Sequence, residues 1–208
     1  MKTVLLVLVL LWPAAGLADF SEGLAAAQRG DFATAIREFR PLAEAGNAWA
    51  QYNLGVMYAN GKGVPEDDAE AVKWYRLAAA QGNASAQFNL GLMYANGEGV
   101  PEDDAEAVKW YRLSAKQGDA MAQLNLGNMY NNGHGVAEDD AEAVKWYRLA
   151  AAQGYADAQY NLGQMYREGR GVPKDDAEAV KWYRLAAEQG YASAQFNLGL
   201  MYANGEGV

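Results

Sequence analysis

The chain has 208 residues, 51% of them apolar, with a formal net charge of −9 and no cysteine. This composition permits a packed core and excludes collagen-like and disordered classes. The acidic balance argues against polyanionic nucleic acid and anionic membrane surfaces, which recruit clustered Lys and Arg, so a partner selected by charge is neutral or basic.

At the N-terminus, Lys2 precedes an unbroken apolar run from Val4 to Trp12, and Pro13 interrupts it. Gly16, Leu17 and Ala18 then supply small residues at cleavage positions. Residues 1–18 read as a secretory signal peptide removed after Ala18, because the apolar run is too short to span a bilayer. Export follows, to a bacterial periplasm or the outside, with an endoplasmic reticulum lumen as the alternative. Without cysteine, neither a disulfide nor a lipid on an N-terminal Cys is available, and packing alone must hold the fold.

Residues 19–46 read as a divergent N-terminal hairpin that caps an array. Leu24 to Ala27 supply its first helix, Gly30-Asp31 a short turn, and Ala35, Ile36, Phe39 and Ala43 the apolar face of its second, with Pro41 expected to kink it.

From Asn47 the sequence repeats every 36 residues. Ala-Glu-Ala-Val-Lys-Trp-Tyr-Arg-Leu recurs unchanged from Ala69, Ala105, Ala141 and Ala177. Asn-Leu-Gly-x-Met-Tyr recurs from Asn53, Asn89, Asn125, Asn161 and Asn197. Units therefore fall at 47–82, 83–118, 119–154 and 155–190, with a half unit at 191–208 that has a first helix only. Either the chain is truncated at Val208 or that helix caps the array.

Each unit predicts two helices. Helix A runs from Ala48 to Asn60, with Ala50, Leu54, Met57 and Tyr58 on one face. It ends where Gly61 can adopt a left-handed conformation, and Pro65 keeps the connector from being helical. Helix B starts at Asp67, whose carboxylate caps it, with Glu70 at capping-box spacing. Ala71, Trp74, Tyr75 and Ala78 form its apolar stripe, and Gly82 ends it. Gly55 and its copies Gly91, Gly127, Gly163 and Gly199 cost about 1 kcal/mol each in a helix interior. Close approach of another helix explains them, and the bulky Trp74 is the expected neighbour. One hairpin cannot cover its own stripes, so the units must stack.

Ala50-Gln51, Leu54-Gly55, Met57-Tyr58, Gly61-x-Gly63-Val64-Pro65, Asp67, Ala69-x-Ala71, Trp74-Tyr75, Ala78 and Gly82 together resemble the Sel1-like repeat family, related to tetratricopeptide repeats. The match covers Asn47 to Val208. The resemblance implies an all-α, right-handed superhelical solenoid of antiparallel helix pairs whose concave side holds partners. It implies adaptor roles in signalling, secretion, quality control or host interaction. One bacterial branch is linked to penicillin binding and weak β-lactamase activity. That branch carries paired cysteines in each repeat and this chain has none, so the activity is not carried over, and a β-lactam-binding or -hydrolysing enzyme is kept only as the rival reading.

Residues with catalytic potential are few. His134 stands alone in a Gly-His-Gly connector, and general acid–base work needs positioned neighbours. Ser21, Ser85, Ser114, Ser193 and Thr34 sit beside no base at a recognisable spacing. The acid pairs Asp67-Asp68, Asp103-Asp104, Asp139-Asp140 and Asp175-Asp176 open helices and read as caps, not cation ligands. No catalytic residue, metal or cofactor is expected.

Five internal copies mark where the repeat fails to repeat. Helix A varies at Trp49/Ser85/Met121/Asp157/Ser193, at Tyr52/Phe88/Leu124/Tyr160/Phe196, at Val56/Leu92/Asn128/Gln164/Leu200 and at Ala59/Ala95/Asn131/Arg167/Ala203. These positions share an arc of about 80°, nearly opposite the core stripe. The candidate partner-binding residues are Trp49, Tyr52, Val56, Phe88, Leu92, Met121, Leu124, Asn128, Tyr160, Gln164 and Arg167. The apolar rung at the Tyr52 position fits either a peptide groove or packing between units. Asn53 and its copies flank this face; in related peptide-binding repeats a similar Asn grips ligand backbone. The sequence-level expectation is a non-catalytic scaffold for a neutral or basic protein or peptide.

Overall fold

The computed structural model describes residues 18–207, so the signal-peptide expectation lies outside the described residues except at Ala18. Among them are eleven helices and no strand. In chain order they are α1 Phe20–Gln28, α2 Phe32–Glu44, α3 Ala48–Ala59, α4 Asp68–Ala80, α5 Ala84–Asn96 and α6 Asp104–Lys116. Then follow α7 Ala120–Asn132, α8 Asp140–Ala152, α9 Ala156–Glu168, α10 Asp176–Glu188 and α11 Ala192–Asn204. Each helix packs on the next, more extensively within a hairpin than between hairpins. The fold is an all-α solenoid of helix pairs.

The helix ends follow from the residues placed there. Asp67, Asp103, Asp139 and Asp175 each accept the backbone N–H three residues on, at 2.9–3.0 Å. The reciprocal half of the expected capping box is missing. The Asp67 N–H donates to the Tyr58 carbonyl, and the Glu70 carboxylate turns instead to Lys73. α2 runs on through Pro41 to Glu44, and the proline does not end it.

The apolar clusters straddle the sequence repeats. Ala71, Val72, Tyr75, Ala78 and Ala79 of α4 pack with Ala86, Leu90 and Met93 of α5. The same pairing of one unit's helix B with the next unit's helix A recurs at α8–α9 and α10–α11. A unit cut at its sequence boundaries therefore lacks half of each core, which is why stacking is obligatory.

The mid-helix glycines do mark close approach, but not to Trp74. A Cβ on Gly55, Gly91 or Gly163 would lie 2.7 Å from the ring of Tyr75, Tyr111 or Tyr183. Trp74 instead packs against the cluster of α1 to α3, which its own helix A shares with the preceding hairpin, and Trp110, Trp146 and Trp182 repeat this. The tyrosine closes the hairpin and the tryptophan binds it to the preceding one.

Three polar or steric rungs tie consecutive units. Buried Gln87 donates Nε2 to the Ala79 carbonyl at 3.1 Å, while Gln117 donates Nε2 to Gln87 Oε1 at 2.7 Å. Gln51–Gln81, Gln123–Gln153 and Gln159–Gln189 repeat the Gln–Gln bond. Arg76 donates to the Tyr94 hydroxyl at 2.7 Å, and Arg112, Arg148 and Arg184 reach the equivalent tyrosines. The second connector glycine sits on the preceding helix B. At Gly135, with φ +64°, a Cβ would lie 2.2 Å from the Asp104 backbone.

Candidate functional site

The positions at which helix A differs from unit to unit share one face among the described residues, and their side chains sort by depth. Trp49 and Met121 are 57% and 47% exposed. Both lie in the first turn of their helices, beyond the reach of the neighbouring unit's core. Trp49 meets Tyr52 edge-on at 6.4 Å.

One turn on, the side chains lie lower. Tyr52 is half-buried, its ring 6.0 Å from Tyr75, and burial raises its phenol pKa. Phe88 is buried against Tyr111, and Leu124 packs on the α8–α9 cluster. Tyr160 lies 5.7 Å from Tyr183 and 5.1 Å from Tyr191. Phe196, with no following helix B in this chain, is 73% exposed. The rung thus packs on the tyrosine of its own unit's helix B at Tyr52, Phe88 and Tyr160, and Tyr160 also meets Tyr191 of the next unit. Val56 and Leu92 are half-buried beneath it.

Further along, two polar members of the face come together. Asn128 Oδ1 accepts from the Tyr147 hydroxyl at 2.8 Å and from Asn161 Nδ2 at 3.2 Å. Gln164 donates to the Tyr160 hydroxyl at 2.8 Å. Both line a cavity of about 120 Å³ that also receives Asn131, Glu168 and Arg170. Arg167 lies near the Tyr183 ring, whose phenol burial pushes up to about 12. A second cavity, of about 270 Å³, opens beside Trp49 and Ser85 at the first-turn end of the face. The Asn53 side chain bonds back to the Trp49 carbonyl at 2.8 Å.

Two features went unread in the sequence. Leu77, Leu113, Leu149 and Leu185, one per helix B, are 38–49% exposed and form a second apolar row. Their exact repetition marks them as scaffold in the internal comparison, which by construction finds only differences. Arg170 was missed because it lies in a connector. The copies also differ at the connector position shared by Lys62, Glu98, His134, Arg170 and Glu206, and that difference marks it.

The side chains with catalytic potential have structural surroundings. Ser114 is fully buried and donates Oγ to the Ala84 carbonyl at 2.9 Å. His134 is exposed in its connector. The first acid of each pair caps a helix, and Asp140 holds Arg170 through both oxygens. Among the described residues no group of three or more His, Cys, Asp or Glu converges as metal ligands would. None of their helices is long and apolar enough to cross a membrane.

The description "Sel1 repeat" matches residues 50–83, 84–119, 120–155, 156–191 and 192–208. A Sel1 repeat protein from Oxalobacter formigenes is 37% identical with a TM-score of 0.87, over 91% of this chain and 78% of its own. The Escherichia coli protein c5321, described as a protective antigen of uropathogenic strains with an SLR fold, is 47% identical with a TM-score of 0.81. That match covers 83% of this chain, which spans only 37% of the length of c5321. The immunity protein Pa5087 of Pseudomonas aeruginosa, 22% identical at a TM-score of 0.51 over 83% of this chain and 67% of its own, shares the fold alone. No curated protein matches the sequence.

Proposed function

The chain belongs to the Sel1 repeat family, and from that premise we propose that it is an exported, non-catalytic scaffold that holds a neutral or basic protein or peptide on the variable face of helix A. The observation that carries the reading is the split along one helix face. Trp49 and Met121 stand exposed where neighbouring copies have Ser or Asp, while the rest of the unit repeats nearly unchanged. Solvated faces of a stable solenoid have no packing need for Trp, and aromatic residues are what interfaces concentrate. The acidic net charge favours a basic or neutral partner by steering its approach. Export rests on the run Val4 to Trp12 and the small residues before Ala18.

The rival enzyme reading finds little support in the residues it would need. The one buried serine, Ser114, gives its hydroxyl to a carbonyl and faces no base. The test is capture from a periplasmic extract by the purified chain and by a Trp49→Ser, Met121→Ser double variant. Both side chains are exposed, so the variant should fold normally. Loss of a captured protein supports the assignment, and undiminished capture overturns it.

A further inference from the structure

The cavity between the third and fourth full units departs most from the repeat's own rules. Tyr147, Asn161 and Met165 at its base recur in the other copies. The side chains around them do not. Asn128 and Gln164 stand where Val56, Leu92 and Leu200 stand elsewhere, Asn131 replaces an Ala, and Glu168 replaces an Asn.

The matching cavity two units earlier is an internal control. It has Ala59 in place of Asn131, Leu92 in place of Gln164 and Glu98 in place of Arg170. That site folds with apolar side chains, so folding does not require amides at these positions. Placing polar groups there also sacrifices apolar burial. The substitutions fall in two groups, 128–131 and 164–170, more than thirty residues apart in the chain, that meet in one cavity.

Hydrogen bonding tells which ligand chemistry the cavity fits. Asn128 Oδ1 is used by Tyr147 and Asn161, Gln164 donates to Tyr160, and Asn131 donates to Asn132 at 2.9 Å. Arg170 is engaged by Asp140 at 3.1 and 2.6 Å and lies 3.8 Å from Glu138. These bonds leave the side-chain carbonyls of Asn131, Asn161 and Gln164 open as acceptors, beside the second N–H of each amide. The Glu168 carboxylate joins no ion pair among the described residues. Of the residues lining the cavity only Glu168 and Arg170 are charged, and Arg170 is already held by Asp140, which leaves the Glu168 carboxylate as the charge open to a ligand. A volume of about 120 Å³ is well below the 300 Å³ or more of typical small-molecule pockets and suits the end of one side chain.

We propose that this cavity receives a lysine or arginine side chain of the bound partner, held by the Glu168 carboxylate and the amide carbonyls of Asn131, Asn161 and Gln164. The inference rests on the reading that a protein or peptide lies along the variable face. It adds a register to that reading, with a basic side chain opposite the third and fourth units. Glu168 and the amides are specificity residues, since an apolar or acidic side chain would leave them desolvated without a donor.

The test titrates N-acetyl-lysine amide, N-acetyl-norleucine amide and N-acetyl-glutamate amide into the chain while following its side-chain amide NMR signals. Lysine amide should shift Asn128, Asn161 and Gln164 saturably, with the other two probes at least about tenfold weaker. Glu168→Gln should weaken lysine amide about tenfold, since it removes the one charge-assisted bond. Asn128→Leu, the residue of the second unit's copy, should abolish the shift at Asn161. Absence of a saturable shift, norleucine or glutamate binding as tightly as lysine, or an unchanged Glu168→Gln affinity would each overturn the proposal. The titration needs no partner, so a failure to capture any protein would count against the scaffold reading alone.

Discussion

Replacing Gly127 and Gly199 by Ala, one at a time, should shift stability in opposite directions although both occupy the same place in the repeat. In an exposed helix interior, Gly→Ala stabilises by about 0.5–1 kcal/mol through backbone entropy. At Gly199 a Cβ would meet nothing within 4 Å, so Gly199→Ala should show this gain. At Gly127 the new Cβ would lie 2.6 and 2.7 Å from ring atoms of Tyr147, roughly 1 Å inside normal carbon contact. Retreat of Tyr147 toward the adjoining cavity is opposed, since the residue is 2% exposed and its hydroxyl is bonded to Asn128. Overpacking of a closed core costs about 1–3 kcal/mol, which exceeds the propensity gain. Urea denaturation should place Gly127→Ala below the parent chain, and hydrogen exchange should find the amides of α11 better protected in Gly199→Ala. A Gly127→Ala chain as stable as the parent would refute the close-approach account of these glycines.

Three further outcomes follow from the rungs and the buried phenols. Gln123→Ala removes the buried bond to the Ala115 carbonyl, which keeps only its Gly118 N–H, and should lower the urea unfolding free energy by about 0.5–1.5 kcal/mol, whereas Gln195→Ala, whose bond to Ala187 is exposed, should cost little. Gly135→Ala should destabilise more than Gly118→Ala: both need positive φ, but only the former drives a Cβ into the preceding unit's backbone. Burial raises the phenols of Tyr75, Tyr111 and Tyr147 well above the usual range and that of Tyr183 to about 12. The unfolded chain releases these protons near pH 10 and the folded one later, so stability is intact below about pH 10 and falls as pH rises toward about 12. A urea midpoint that stays flat over that range would contradict their burial.

The fold was legible because 36-residue periodicity, caps and breakers all point to the same helices. Asp67 and Gly61 do at the helix ends what their chemistry predicts. Partner choice inside the core was harder to read. Trp74 and Tyr75 are adjacent and both apolar, and only the direction each takes from the helix decides which closes the hairpin and which reaches the preceding unit. The Gln51–Gln81 rung was missed because glutamine at a stripe edge looks like surface, and its satisfaction depends on a carbonyl and an amide from two other helices. On the variable face, sequence arc placed Trp49, Tyr52 and Asn128 together. Depth separated them, since helix B of the same unit packs on the second and third and leaves the first exposed.

The central claim, that a partner lies along the variable face of helix A, is tested most directly by site-specific photocrosslinking. A photoreactive side chain is placed in turn at Trp49, Met121, Leu77 and Leu113, all at least 45% exposed. One partner should crosslink from Trp49 and Met121 and not from Leu77 or Leu113. Crosslinking confined to the two leucines would move the binding surface to the helix-B row and contradict it.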